Sequence, residues 1–179
     1  MDVEAYKAIL SRLLPKTGQS ICYQAGDDGT YEAGWWKGKL NLGNKVRFIS
    51  KTVGSDVIVI DRATGLIWAA DGNASGCKSD ADSFSDCIIY AEGLTFAGFS
   101  DWRVPNIKEL VSLLDYGISG LRIKQPPFSN TTTERRYVSS TTYIEATTYC
   151  YGVDFIDGKI YSGVKTDNVW VLRCVRGGL

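Results

Sequence analysis

The chain has 179 residues, about one domain's length, enough to bury roughly 70 % of its unfolded surface without staples. Twenty Lys and Arg balance twenty Asp and Glu, so the formal net charge is zero; this argues against a phosphate-tracking nucleic-acid binder and against a polybasic membrane anchor. Histidine is absent, which excludes Ser-His-Asp and Cys-His machinery, His-ligated zinc and an imidazole pH switch.

The apolar runs, such as Val57–Ile60 and Gly65–Ala70, are far shorter than the ~20 residues of a membrane-spanning helix. Met1–Lys7 carries acids early and has no continuous apolar core, so no signal peptide is read there, leaving the compartment open between cytoplasm, virion and export by another route. The five cysteines are Cys22, Cys77, Cys87, Cys150 and Cys174. An odd count leaves one thiol unpaired within a monomer, and no C-x-x-C pair suggests a zinc ribbon or a redox dithiol. Most read as small buried hydrophobes, with a Cys77–Cys87 bridge as the alternative in an oxidising compartment.

In chain order, Val3, Tyr6, Ile9, Leu10, Leu13 and Leu14 recur at three- and four-residue spacing. They predict an amphipathic helix over residues 2–14, stopped by Pro15 and Gly18. It packs on its own domain or serves as an oligomerisation helix. Residues 16–44 are rich in Gly, Asp and Lys, with Trp35-Trp36 near the middle; Gly26-Asp27-Asp28-Gly29 is turn chemistry. These acids lack the spaced oxygen ladder of a calcium loop. Short strands follow at Val46–Ile49, Asp56–Asp61 and Leu66–Trp68, the last two joined by a hairpin turn at Asp61–Gly65.

Residues 71–81 are small and polar and read as a loop. Asn73-Ala74-Ser75 and Asn130-Thr131-Thr132 match the glycosylation pattern but read as ordinary loops. A second helix is predicted from about Asp82 to Leu94, with Phe84, Cys87, Ile88, Ala91 and Leu94 inward and Gly93 or Gly98 at its end. In Asp101–Leu110, Pro105 keeps Val104 out of the helix. Asn106 then caps a third helix, with Glu109 completing a capping box and Ile107, Leu110, Val111 and Leu114 buried. From Tyr116 onward the chain reads as strands and loops: Pro126-Pro127 in a connection, strands at Tyr137–Ser140, Tyr151–Phe155, Lys159–Tyr161 and Val169–Val175, and a two-residue hairpin turn at Asp157-Gly158. No repeat or linker appears, so residues 1–179 form one domain with an N-terminal helix within 1–15.

Catalytic signals are weak. Asp56 with Asp61, or Asp154 with Asp157, could be offered as acid–base pairs, but turn and cap roles explain them as well. No Walker or Rossmann loop is present. Arg173 and Arg176 flank Cys174 and could activate its thiol. On a strand, however, neighbours point to opposite faces, so Cys174 reads as a core sulfur with surface charges beside it.

The informative stretch is 137–168. Five of the ten tyrosines (Tyr137, Tyr143, Tyr149, Tyr151 and Tyr161) fall here, among Thr141, Thr142, Thr147, Thr148, Ser162 and Gly163. Tyr offers broad amphipathic contact for two side-chain torsions, and small polar neighbours let the ring be placed freely, as in antibody loops. Tyr and Thr also form strands well, but Thr141–Tyr149 lacks clean alternation and fits an exposed, irregular connection.

Several motifs resemble the collagen-like-adhesin (Lcl) C-terminal domain family: Leu14-Pro15-Lys16-Thr17-Gly18-Gln19, Asp61–Trp68, Asp101-Trp102-Arg103-Val104-Pro105 with Lys108-Glu109-Leu110, Tyr137–Thr141, Val153–Gly158 and Arg173–Gly178. They occur in the family's order over roughly 14–178. The resemblance implies an α+β, C-type lectin-like fold of the formylglycine-generating-enzyme type, with two main helices, short antiparallel sheets and an irregular binding face. The enzyme branch of that fold uses a copper-bound cysteine pair; no such pair can be placed here, so the enzyme alternative rests on Cys174 alone. Variable proteins of diversity-generating retroelements are similar in fold and carry their mutable codons on a late binding face. Segment 141–168 shares that composition, while Val138 stands where the Tyr-Trp-Ser-Ser version has Trp.

The expectation is a non-enzymatic ligand-binding domain without metal or cofactor, its binding region within 137–176. Its partner is a protein or glycan on another surface, not nucleic acid. The expected contacts are Tyr143, Glu145, Thr147, Tyr149, Tyr151, Tyr161 and Ser162. A structural subunit assembling through the N-terminal helix is a further alternative.

Overall fold

Two sheets and three short helices enclose two clusters of buried residues in the computed structural model of the chain, which describes residues 14–34 and 46–177. The predicted helix over 2–14, apart from Leu14, and the Trp35-Trp36 pair lie outside the described residues. Asp27 caps a single helical turn, α1 (Asp28–Tyr31). The Asp27 carboxylate accepts backbone N–H bonds from Tyr23, Gln24 and Thr30, and the Tyr23 donor leads in holding its pKa below the usual range. Asp27 therefore serves as a cap, while the Asp28 carboxylate accepts from the Thr17 hydroxyl.

The first sheet runs β1 (Phe48–Val53), β2 (Asp56–Asp61), β3 (Ile67–Ala69) and β9 (Val175–Arg176), all antiparallel. The predicted β2–β3 hairpin forms. Its turn is organised by Asp61, which is fully buried. Asp61 takes a two-pronged bond from Arg47 and further bonds from Ala63 N and Thr64 Oγ1.

The second sheet has the order β4 (Cys77–Asp82), β8 (Trp170–Arg173), β5 (Arg136–Thr142), β6 (Tyr149–Asp154) and β7 (Lys159–Val164). It is mixed rather than wholly antiparallel, because β5 and β8 run parallel. Residues 77–81, expected as loop, and Asp82, expected to begin the second helix, form a strand. β4 is an edge strand whose polar side chains face water, and it takes its conformation from β8.

The expected two-residue turn at Asp157-Gly158 is a longer loop. Asp154 pairs with Lys159, leaving Phe155–Gly158 between the strands. Phe155 is drawn inward, 1 % exposed, with its ring edge-to-face on Tyr137 at 5.1 Å. Asp154 closes the turn by accepting from Ile156 N.

The next two helices each cover one side of the second sheet. α2 (Phe84–Glu92) is capped by Ser83 and ends at Gly93, and it buries Cys87 and Ala91 with Trp170, Leu172 and Val138. α3 (Ile107–Val111) carries the predicted capping box, with Asn106 accepting from Glu109 N and Glu109 accepting from Asn106 N. Leu110, Leu113 and Leu114 pack with Tyr137, Val153, Phe155 and Val171 on the other side. The Asp101–Pro105 motif latches the two sheets: Arg103 and Val175 exchange backbone bonds, and the Arg103 guanidinium holds Glu109 and the Gly177 carbonyl.

Arg173 departs from the surface role expected of it. It is fully buried on β8, and its guanidinium donates to the Ala69, Ala70 and Ser129 carbonyls and to Thr131 Oγ1. It stands over the Phe128 ring at 5.2 Å. Carbonyl dipoles and a ring face stabilise this charge directly, with the Asp71 carboxylate near enough to feel it, and the clamp fixes residues 69, 70, 129 and 131 against β8.

Candidate functional site

The sheet's alternation divides the tyrosine-rich stretch between its two sides. In the β6–β7 register Tyr151 faces Ser162, Tyr149 faces Val164 and Gly152 faces Tyr161. Paired residues share a side, so Tyr149, Tyr151 and Ser162 lie on the α3 side, whereas Tyr161 lies on the α2 side with Trp170. There the Arg136 guanidinium sits 4.1 Å above the Tyr161 ring. The Tyr161 hydroxyl donates to Asp157, and this bond leads in raising its pKa above the ordinary phenol value. Tyr137 is core: it is 2 % exposed and its hydroxyl accepts from Thr132 N.

The connection between β5 and β6 is built from the backbone upward. A bulge sets Ser139–Thr141 of β5 opposite Tyr151 alone. Its groups are taken up by neighbours: Ser139 Oγ donates to the Tyr151 carbonyl, Ser140 N to the Pro105 carbonyl, and Thr141 Oγ1 accepts from Ile107 N. The loop is then closed by Tyr143 N to Tyr149 O, Ala146 N to Tyr143 O and Tyr149 N to Ala146 O. Backbone bonding of this kind leaves side chains outward. Ile144 is 81 % exposed, and Glu145, Thr147 and Thr148 are exposed too.

Tyr143 and Tyr151 are half-buried and meet edge-to-face at 5.5 Å. The Tyr143 hydroxyl donates to Glu145 at 2.6 Å, which leads in raising the phenol pKa. The sequence missed Ile144 as a rim residue and Lys165, whose ammonium donates to Thr142 Oγ1 and whose N–H donates to the Thr148 carbonyl. Ile144 carried a signal: an apolar residue inside a Thr-, Glu- and Ala-rich loop.

The packing behind the loop is tight. Trp170 lies against Gly152 and Gly163, where an added Cβ would come within 2.6 and 2.7 Å of its ring. Gly152 and Gly163 thus let a large aromatic plate underlie β6 and β7, giving the loop a rigid base.

The four buried cysteines offer no comparable chemistry. All five are free thiols; Cys77 and Cys87 are separate, and Cys77, Cys87, Cys150 and Cys174 are buried. Burial pushes Cys150 up to about 11, Cys87 to about 12 and Cys174 higher still. A protonated thiol is a poor nucleophile and a poor metal ligand. The carboxylates offered for acid–base work are occupied structurally, Asp56 by Ala97 N, Asp61 by Arg47, and Asp154 and Asp157 by turn N–H groups. Among the described residues, no three or more His, Cys, Asp and Glu side chains stand together as a metal site.

Residues 57–176, more than half of the chain, match the profile of the Lcl C-terminal domain. The chain belongs to this family. The matched region starts within β2 and ends at β9, so it holds the Asp61 hairpin, helices α2 and α3, the Arg173 clamp and the tyrosine-rich loop. Comparison with curated proteins gives no match. Membership of the Lcl C-terminal domain family fits an adhesin-like, surface-binding role. Among the described residues no helix is long and apolar enough to cross a membrane.

Proposed function

We propose that this Lcl C-terminal domain is a non-catalytic recognition module that docks a protein or glycan of another surface on the α3 side of its β5–β6 loop. The contact set is Tyr143, Glu145, Thr147, Tyr149, Tyr151 and Ser162, with Ile144 at the rim. Tyr161 belongs to the opposite side and supports Arg136 there.

The observation carrying this reading is the Tyr143–Tyr151 pair, half-exposed and held edge-to-face on a loop whose backbone is internally bonded. Rings fixed before binding lose little entropy on contact, which favours affinity. Glu145 places a negative charge at the rim and screens partners by charge. The finer reading keeps a C-type lectin-like arrangement in which a fixed scaffold carries a variable late face. If a retroelement diversifies that face, neighbouring DNA holds a near-copy of the codons for 137–176 that differs mainly at adenines.

The binding test uses the fluorescently labelled domain on intact bacterial and animal cells, untreated, protease-treated and periodate-oxidised. Tyr143→Ala with Tyr151→Ala should lower staining about tenfold or more, as expected for loss of two aromatic anchors, with the melting temperature kept within a few degrees. Loss after protease points to a protein and loss after periodate to a glycan. Absent wild-type staining, or equal staining by both forms, would overturn the assignment.

A further inference from the structure

The second sheet ends in two unlike edges. β4 is broken by a register shift between Lys78 and Asp82 and carries Lys78, Asp80 and Asp82, devices that keep a strand edge from pairing. β7 pairs with β6 without a shift over its whole length and carries one charge, Lys159. The ladder fixes which of its groups face outward. Tyr149 N and O are bonded to Ala146 and Tyr143, so Tyr149 exchanges no bonds with its partner Val164, whose carbonyl accepts from Asp167 N. Bonded and unbonded pairs alternate along an antiparallel ladder. Ser162 and Ile160 therefore turn N–H and C=O away from β6, and these groups meet no partner among the described residues. Ile160 is half-exposed and borders an apolar groove of about 370 Å³, walled also by Ile107, Val111, Leu114 and Tyr116. Two lysines line the groove: Lys16 is paired with Glu32, whereas Lys108 is exposed and has no ion pair among the described residues.

Resting on the recognition reading above, we propose that the partner is a protein that adds an extended segment to the β7 edge as a further strand. An apolar side chain of that segment fills the groove, and a carboxylate beside it meets Lys108. The open groups recur at every second residue, about 6.6 Å apart along the strand, a spacing that a peptide backbone reproduces. In strand addition the main-chain bonds give affinity, and pockets for alternate side chains give selectivity. The edge is also continuous with the recognition face. Ser162 stands opposite Tyr151 and shares its side, and Ile160 lies two residues along on that same side. One extended segment can therefore reach from the groove to the tyrosine pair.

Cell staining by the labelled full chain tests the edge. Ile160→Pro removes an outward N–H and leaves the β6 ladder whole; staining should fall about tenfold with the melting transition retained. Lys108→Glu should lower staining about threefold by reversing the groove's charge. Staining lost by the Tyr143 and Tyr151 double variant but kept by Ile160→Pro overturns the edge and leaves the recognition face standing. Staining that resists protease and is lost after periodate overturns it likewise. A second measurement needs neither cells nor variants. A phage-displayed library of random short peptides is selected on the wild-type chain, and the most enriched peptide is synthesised. It should carry an apolar residue near Asp or Glu and slow hydrogen exchange at the Ile160 and Ser162 amides about tenfold or more. No enrichment, or unchanged exchange at both amides, overturns strand addition. A dimer mass in light scattering that Ile160→Pro abolishes would assign the edge to a second copy and overturn the proposal.

Discussion

The hairpin β2–β3 and the hairpin β5–β6 solve the same geometric problem in opposite ways. Around Asp61 a side chain reinforces the backbone bonds Gly65 N to Asp61 O and Asp61 N to Leu66 O: one buried carboxylate collects Arg47, Ala63 N and Thr64 Oγ1. Arg47 also reaches the Ser112 carbonyl and so ties the turn to the end of α3. Around Tyr143–Thr148 the backbone holds the turn, and the side-chain bond within it joins Tyr143 to Glu145 at the exposed rim. The first arrangement spends its polar groups on the fold and has little left to offer a partner. The second keeps its polar and aromatic groups available, which is why we place the proposed recognition there.

The largest expected effect breaks the first hairpin. Asp61→Ala leaves the Arg47 guanidinium unpaired in a mostly buried position and strips Ala63 N of its acceptor. Loss of one member of a buried ion pair costs about 3–5 kcal/mol. At about 2–4 °C per kcal/mol for a chain of this size, thermal unfolding should move down by roughly 6–20 °C. A shift of only a degree or two would mean that the turn does not depend on its carboxylate.

Next is the base of the second hairpin. Gly152→Ala pushes a methyl to 2.6 Å from the Trp170 ring and 2.7 Å from the Tyr137 carbonyl. Overpacking of this kind costs about 1–3 kcal/mol. It should also disturb the β6 residues beside it, so binding to cells should weaken although no contact residue has changed. Chemical denaturation gives the first quantity and cell staining the second. Unchanged stability would show that Trp170 has room to withdraw.

These two sites also mark what the sequence could disclose. The Asp61 turn, the capping box at Asn106 and the inner face of α2 were legible because each depends on residues within one or two turns of chain. β4 was not, because Lys78–Asp82 has no apolar alternation and becomes a strand only beside β8, some ninety residues away. Arg173 was misread for a related reason. A lone cation in an apolar strand reads as surface until the carbonyls of 69, 70 and 129 are brought to it by the fold. In the candidate site, composition picked out the tyrosines, and the register alone assigned their sides. A one-residue step in pairing separates Tyr161, opposite Gly152, from Ser162, opposite Tyr151. Tyr137 and Tyr143 have the same composition signal, yet only Tyr143 follows the bulge into the loop.

The smallest expected effect isolates the rim of the second hairpin. The Glu145 carboxylate beside the Tyr143 hydroxyl favours the protonated phenol and raises its pKa above the ordinary value. A raised folded-state pKa means that this bond contributes below the unfolded phenol value and is lost as pH climbs through the folded one. Glu145→Gln keeps the loop's shape and removes the charge. The Tyr143 ring, followed by NMR during an alkaline titration, should then ionise at lower pH than in the wild type. The melting temperature at neutral pH should stay within about a degree, since exposed pairs contribute little to stability. An unchanged Tyr143 titration would separate the two side chains in solution and leave Glu145 free to meet a partner directly. A large drop in melting temperature would instead make the rim part of the scaffold, and the contrast between the two hairpins would fail at its most exposed point.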